Sequence, residues 1–336
     1  QLVFADILSD TPRFSGYDVV ERAKENLTDI RDSLLATQLY PIIPMVFLQV
    51  SEFGSAEANF VGSPAFKNAA PDVVVYQHLE KNGMVAEVLS ASRSDALYKY
   101  LTQKGLAVEK DSIPIFRKYI TNNFSFVVSW IQPSAVDVSG RGLLMTFPTK
   151  RMFYPLKPGS AYSGEGTEKT ITILGHVSPK VYFDIKDKTE VRYFYSTHGA
   201  SFENFFEREP GFGFTKIVIN AKPEQLSEDL FISTAAPLRI TNAHLMNLHP
   251  FSYGLALLIL ISFLSTFLAI RLTLPSGSQK PKYIGLSVIN CFTLVGTIIG
   301  SRLFLTEKRL KFVVCHSVVF VALVYIFWFT TSLIYS

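Results

Sequence analysis

Three long stretches without a single charge close this chain, and they limit what it can fold into more than any other feature. Residues 250–270, between His249 and Arg271, number 21; residues 283–301, between Lys282 and Arg302, number 19; residues 312–336, after Lys311, number 25. At about 1.5 Å per helical residue, each is long enough for a hydrocarbon core about 30 Å thick. Helices inside soluble cores are usually shorter, and three such runs in series would be out of place in one. The expected architecture is α+β, with a β-rich extracytoplasmic domain followed by three C-terminal transmembrane helices in 249–336. The bilayer is then the first partner.

Charge supports that division. The chain is 48% hydrophobic with a mean hydropathy of +0.24, and the excess sits in those stretches. From 249 onward there are seven Lys/Arg against one Glu, whereas 1–248 holds 25 basic and 27 acidic residues. A pI near 8.8 therefore reports the flanks of the apolar runs. Residues 1–248 have no Lys/Arg run interleaved with aromatics, so nucleic acid is not an expected partner. The two cysteines, Cys291 and Cys315, both lie in the apolar stretches. That excludes disulfides and thiolate metal sites from the water-facing part. Counted along neighbouring antiparallel spans, the two sulfurs differ in depth by about 10 Å, too far to bridge.

Orientation is less constrained. With 1–248 outside, the 271–282 loop (Arg271, Lys280, Lys282) is cytoplasmic, as the positive-inside rule favours, but the 302–311 loop (Arg302, Lys308, Arg309, Lys311) falls outside, and the two nearly cancel. The chain begins at Gln1 without a signal peptide, as expected of a product exported through a cleaved one. The sequons Asn26-Leu27-Thr28 and Asn123-Phe124-Ser125 are compatible with export. The expected location is a cell membrane, with the N-terminal domain outside the cytoplasm.

Before the spans, 1–16 reads as irregular. Apolar Val20, Ala23, Leu27, Ile30 and Leu34 recur at helical spacing, predicting a helix over 17–37 on the surface of the water-facing domain. A strand at 45–51 and a small-residue loop at 54–71 complete an N-terminal segment, 1–72. The β-rich ectodomain, 73–248, opens with strands at 73–77 and 84–89 joined at Lys81-Asn82-Gly83. Ser92 with Asp95 predicts a capped helix that ends at Gly105, and a second helix starts near Asp111-Ser112-Ile113-Pro114. Further strands are expected at 124–130, 142–147, 151–156, 169–175, 180–185, 189–196 and 214–219.

Part of this pattern resembles a known family. Gly83-Met84-Val85-Ala86-Glu87-Val88-Leu89 is followed by Ser94-Asp95-Ala96-Leu97-Tyr98-Lys99-Tyr100-Leu101, then Lys104-Gly105-Leu106, Tyr119-Ile120 and Phe126-Val127-Val128. Gly142-Leu143-Leu144-Met145-Thr146-Phe147-Pro148, Phe153-Tyr154-Pro155-Leu156, Phe214-Thr215-Lys216 and Ser227-Glu228-Asp229-Leu230 continue it. In that order the motifs are similar to the DUF2330 family of secreted or membrane-attached prokaryotic proteins, over about 73–235. The Trp-aliphatic-Pro segment that usually opens the family is missing from 1–72. The resemblance implies an exported β-rich domain. It implies no catalytic residue, because the family has no established activity.

No reaction is spelled out. His78, His176 and His198 stand at strand ends or in loops, none at metal-ligand spacing from another, and are read as solvated or satisfied by backbone. Gly159-Ser160-Ala161-Tyr162-Ser163-Gly164 lacks the Gly-x-Ser-x-Gly spacing of a nucleophile turn and is expected to be a loop. Gly211-Phe212-Gly213 lacks a dinucleotide loop's third glycine. No cofactor is assigned, but His244 and His249 before the first span and His316 early in the third are the candidates for a haem or copper site near the outer leaflet. In the middle span Gly296 and Gly300, with Asn290, Thr293 and Thr297 alongside, form a close-packing stripe. These residues favour a non-catalytic subunit that contacts other membrane or envelope proteins; the alternative is an accessory subunit of an enzyme or electron-transfer complex.

Overall fold

The computed structural model describes residues 4–8, 14–38, 72–81, 83–133, 141–162, 166, 168–198, 200–202, 206–209, 211–273, 293–305 and 308–335. The chain divides into two compact units, one of 1–17 and 57–237, the other of 18–56 and 238–336. Both are discontinuous, so the division differs from the expected boundaries after 72 and 248.

The strands of the first unit form five small sheets among the described residues, of two to four strands each. β1 (Phe4–Leu8) lies where the sequence reads as irregular; β2 (Tyr17–Asp18) is only two residues long. β3 (Val73–Lys81) and β4 (Met84–Ala91) form the expected hairpin, with Gly83 at φ 78°, and β5 (Phe126–Ile131) pairs on the far side of β4. Between β4 and β5 come α2 (Ser94–Gln103) and α3 (Ser112–Thr121), α1 (Val19–Ala36) belonging to the other unit. They cover one face of the sheet through Leu89, Leu97 and Leu101, with Phe116, Ile120, Phe126 and Val128 around them. The expected Ser92 cap does not form. Ser92 Oγ bonds the Asp72 carboxylate at 3.0 Å, and Arg93 occupies the cap position with no side-chain bond. Gly105, at φ 79°, ends the helix as predicted.

β1 pairs with β6 (Gly142–Thr146) as a separate ribbon beside β3 and β4. It is held by Gln77, whose side chain donates to the Ala5 carbonyl at 2.9 Å and accepts from the Ala5 N–H at 3.1 Å. Ala5 and Ile7 are fully buried. The remaining strands are β7 (Met152–Tyr154), β8 (Lys169–Leu174), β9 (Ser178–Lys180), β10 (Thr189–Ser196), β11 (Ala200–Phe202), β12 (Phe206–Arg208), β13 (Phe212–Ile219) and β14 (Leu230–Ser233). β13 lies between β10 and β8, β14 between β7 and β9, and β11 pairs with β12. Ile171, Ile185, Ile217, Ile219, Leu226 and Leu230 lie in one shared core. The strand expected at 180–185 is cut short, because Phe183–Lys188 closes into a 3-10 turn that buries Ile185. Lys157–Ala161 is another such turn, and takes in the start of the loop expected at 159–164.

The second unit is helical. α1 (Val19–Ala36) buries Val19, Ala23, Leu27, Ile30 and Leu34, near the predicted stripe. It packs against α4 (Leu238–Leu248), α5 (Pro250–Thr273) and the last helix within this unit. Asn247 Nδ2 donates to the Val19 carbonyl and Asn26 Nδ2 to Asn247 Oδ1, both at 2.9 Å. α6 (Thr293–Phe304) and α7 (Arg309–Tyr335) complete the described helices.

Among the described residues two helices, α5 and α7, are long and apolar enough to cross a membrane, not three. At 24 and 27 residues they are about 36 and 40 Å long. α6 is described over 12 residues, about 18 Å; the first part of the expected middle span, with the strand at 45–51 and the loop at 54–71, lies outside the described residues.

Candidate functional site

α5 and α7 run antiparallel: Ala269 and Ile270 cluster with Phe312, while Ser265 meets His316. Small residues are frequent on the buried face of α5 (Gly254, Ser262, Ser265, Thr266 and Ala269, beside Leu257, Ile261 and Ile270), and α7 buries Phe312, His316, Phe320 and Val324, four residues apart. That spacing puts one large side chain per turn on a single face, opposite a groove that small residues leave open.

His316 is the ionisable side chain inside the seam, and it is completely buried. Its Nε2 lies 2.9 Å from Ser265 Oγ, which also lies 3.0 Å from the Ser262 carbonyl. A hydroxyl has one proton. Donated to that carbonyl, it leaves Ser265 Oγ to accept from Nε2–H. Nδ1 is buried with no hydrogen-bond partner among the described residues, as are Ser262 Oγ and Ser317 Oγ.

The other candidate ligands do not join it. His244 is half-buried on α4 and His249 exposed at the start of α5. Among the described residues no three His, Cys, Asp or Glu are placed to hold a metal ion. Of the close-packing residues, Gly296, Thr297 and Gly300 are buried on one face of α6, with Ser301 beside them. Thr293 opens that helix, and Asn290 lies outside the described residues, as does Cys291. Cys315 is a free thiol.

In the first unit the sequence reading passed over a carboxylate. Glu87 points from β4 toward α2, its side chain 3% exposed. Oε1 accepts from Lys104 Nζ at 3.0 Å and lies 2.9 Å from His78 Nδ1; Oε2 accepts from Tyr100 O–H at 2.7 Å. Burial pushes the Glu87 carboxyl up, but the bonds from Tyr100, Lys104 and His78 outweigh it and hold the group below its ordinary value. Lys104 also lies 5.4 Å from the ring of Tyr100 and 5.5 Å from that of Trp130. The signal was present in the sequence: Tyr100 and Lys104 are four apart on one helix, and a hairpin pairs residue 78 with 87. His78 is half exposed but bonded to a side chain, whereas His176 is satisfied by backbone as expected, 3.0 Å from the Phe194 carbonyl. Burial pushes the His176 ring down from its ordinary value.

Asp229 makes a second junction, accepting from Tyr119 O–H at 2.6 Å and from Lys157 N–H at 3.1 Å. Burial and the Asp229 bond push the Tyr119 phenol far above its ordinary value. From Tyr119 a ladder of rings runs through Phe124, Phe153 and Phe231 at centroid spacings of 5.5, 5.5 and 6.3 Å. It surfaces at Phe124 and Phe231, which are exposed. Every acid and base in the two junctions has a structural partner, so these arrangements hold elements together and present apolar surface; neither frames a vacant reacting centre. No family model, no curated protein and no solved structure matches this chain.

Proposed function

We propose that this chain is a membrane-anchored, non-catalytic protein whose β-rich domain lies outside the cytoplasm and contacts other proteins of a membrane or envelope assembly. The observation that carries the reading is the outward face of α5 and α7. Leu255, Ile259, Leu260, Phe263, Phe267, Val314, Val318, Ile326 and Phe329 are all exposed, and only 39% and 22% of the most apolar stretches of the two helices is buried. The core helix of a soluble domain would be covered, whereas lipid tails take such a face without cost. The aromatic ladder supports the interaction half of the proposal, because exposed rings grouped on one face are what protein interfaces concentrate. The resemblance to the DUF2330 family over 73–235 belongs to the same proposal and adds the exported location.

The test is fractionation followed by purification in mild detergent. The chain is expected to stay with the membrane through alkaline carbonate, and to bring a stoichiometric partner that Phe124→Ser with Phe231→Ser releases. A chain washed off by carbonate would end the anchor reading; a monodisperse monomer with no partner would end the assembly reading.

A further inference from the structure

The antiparallel seam has a consequence for charge. α5 ends, and α7 begins, at the same end of the pair, where Ala269, Ile270, Leu305 and Phe312 cluster. Arg271 stands at that end of α5, Arg302 near the end of α6, and Lys308, Arg309 and Lys311 at the start of α7. All five are exposed, and none has an ion pair among the described residues. With three spans the two basic segments would fall on opposite sides; with α5 and α7 as the only crossings they share one.

Helix stability accounts for only part of this charge. Arg271 and Arg302 suit the negative ends of α5 and α6, and Arg309 Nε donates to the Leu305 carbonyl at 2.8 Å. Arg309 and Lys311 also occupy the first turn of α7, however, where the helix dipole repels cations and no acid stands in that turn; Glu307, just before it, lies outside the described residues. Lys308, just before them, holds a left-handed backbone at φ 56°, a conformation better suited to Gly or Asn. Local rules broken in favour of positive charge mark a place where that charge has other work.

We propose that this basic end is a docking surface for anionic phospholipid headgroups of the cytoplasmic leaflet, so that the chain crosses the membrane twice with α1 and α4 on the opposite side. The proposal rests on the membrane anchor argued above. Lipid is the partner because the cations adjoin the exposed apolar faces of α5 and α7, which places them at headgroup level, and a basic cluster beside a span orients toward the cytoplasm.

In a chain carrying Cys291→Ala and Cys315→Ala, single reporters Ser278→Cys, Thr306→Cys and Lys99→Cys are labelled with a membrane-impermeant maleimide. Ser278→Cys and Thr306→Cys are expected to react only after permeabilisation, and Lys99→Cys in intact cells. Ser278→Cys and Thr306→Cys on opposite sides, or both labelled from outside, would overturn the inference while leaving the anchor standing; loss of the chain to carbonate would instead remove the anchor. In neutral detergent, phosphatidylglycerol is expected to raise the melting temperature where phosphatidylcholine and inorganic phosphate do not. The gain should vanish in a variant with Arg271, Arg302, Arg309 and Lys311 changed to Gln. Equal shifts with both lipids, or a gain that survives the variant, would refute headgroup docking.

Discussion

Glu87 shows how one residue couples a sheet to a helix. Its folded carboxyl lies below its ordinary value, so the unfolded chain takes up the proton first as pH falls. The stability it contributes is therefore full above the ordinary Glu value of about 4.3, and is lost as pH drops through the lower folded value. Glu87→Gln should cost about 1–3 kcal/mol at pH 7. That deficit should narrow below about pH 4, read from thermal melts of the two proteins across pH. Gly16 is equally specific. A Cβ there would lie 2.4 Å from the Tyr195 carbonyl oxygen, a backbone atom unable to rotate away. Gly16→Ala is expected to destabilise the first unit by about 1–3 kcal/mol, by strain alone, checked by denaturant melts.

At the scale of elements, the seam between α5 and α7 depends on size contrast. Ser265 is fully buried against His316, so Ser265→Leu both overfills the groove and removes the acceptor for Nε2–H. Cysteines introduced in pairs across the seam should cross-link readily in the parent and poorly in Ser265→Leu. Ser265→Ala, which keeps the volume, should retain the cross-link. Periodicity made these helices legible, because a 3.6-residue repeat or an unbroken apolar run is local information. The cap on α2 was misread for the opposite reason: Ser92 had two acceptors in reach, and the sequence does not show that Asp72 arrives beside it. β1 was missed because five residues carry little pattern; their strand exists through β6, well over a hundred positions away.

For the whole molecule, the division into units cuts across chain order. A fragment of 73–237 omits β1, with Ala5, Ile7 and Leu8 from the core and both backbone partners of Gln77. It should melt about 10 °C below the complete unit, measurable by circular dichroism. Restoring residues 1–17 as a separate peptide should recover part of the loss.

The apolar runs at the C-terminus, the basic flanks, the amphipathic stripe of α1 and most strands of the β-rich region follow from composition and spacing alone. Tertiary structure decided the rest. Lengths near 20 residues are permissive, so three runs predicted three spans, whereas among the described residues two helices are long and apolar enough to cross a membrane. The pairing of α5 with α7 also brings Arg271 to the same end as Arg309, where loop-by-loop counting had set them against each other. Among the described residues no three metal ligands come together, whereas Glu87 is enclosed by Tyr100, Lys104 and His78, whose convergence only the paired hairpin and the packed helix bring about. The physical reason is common to all of these. Periodicity reports which face a residue takes along its own element, and only packing reports what that face meets.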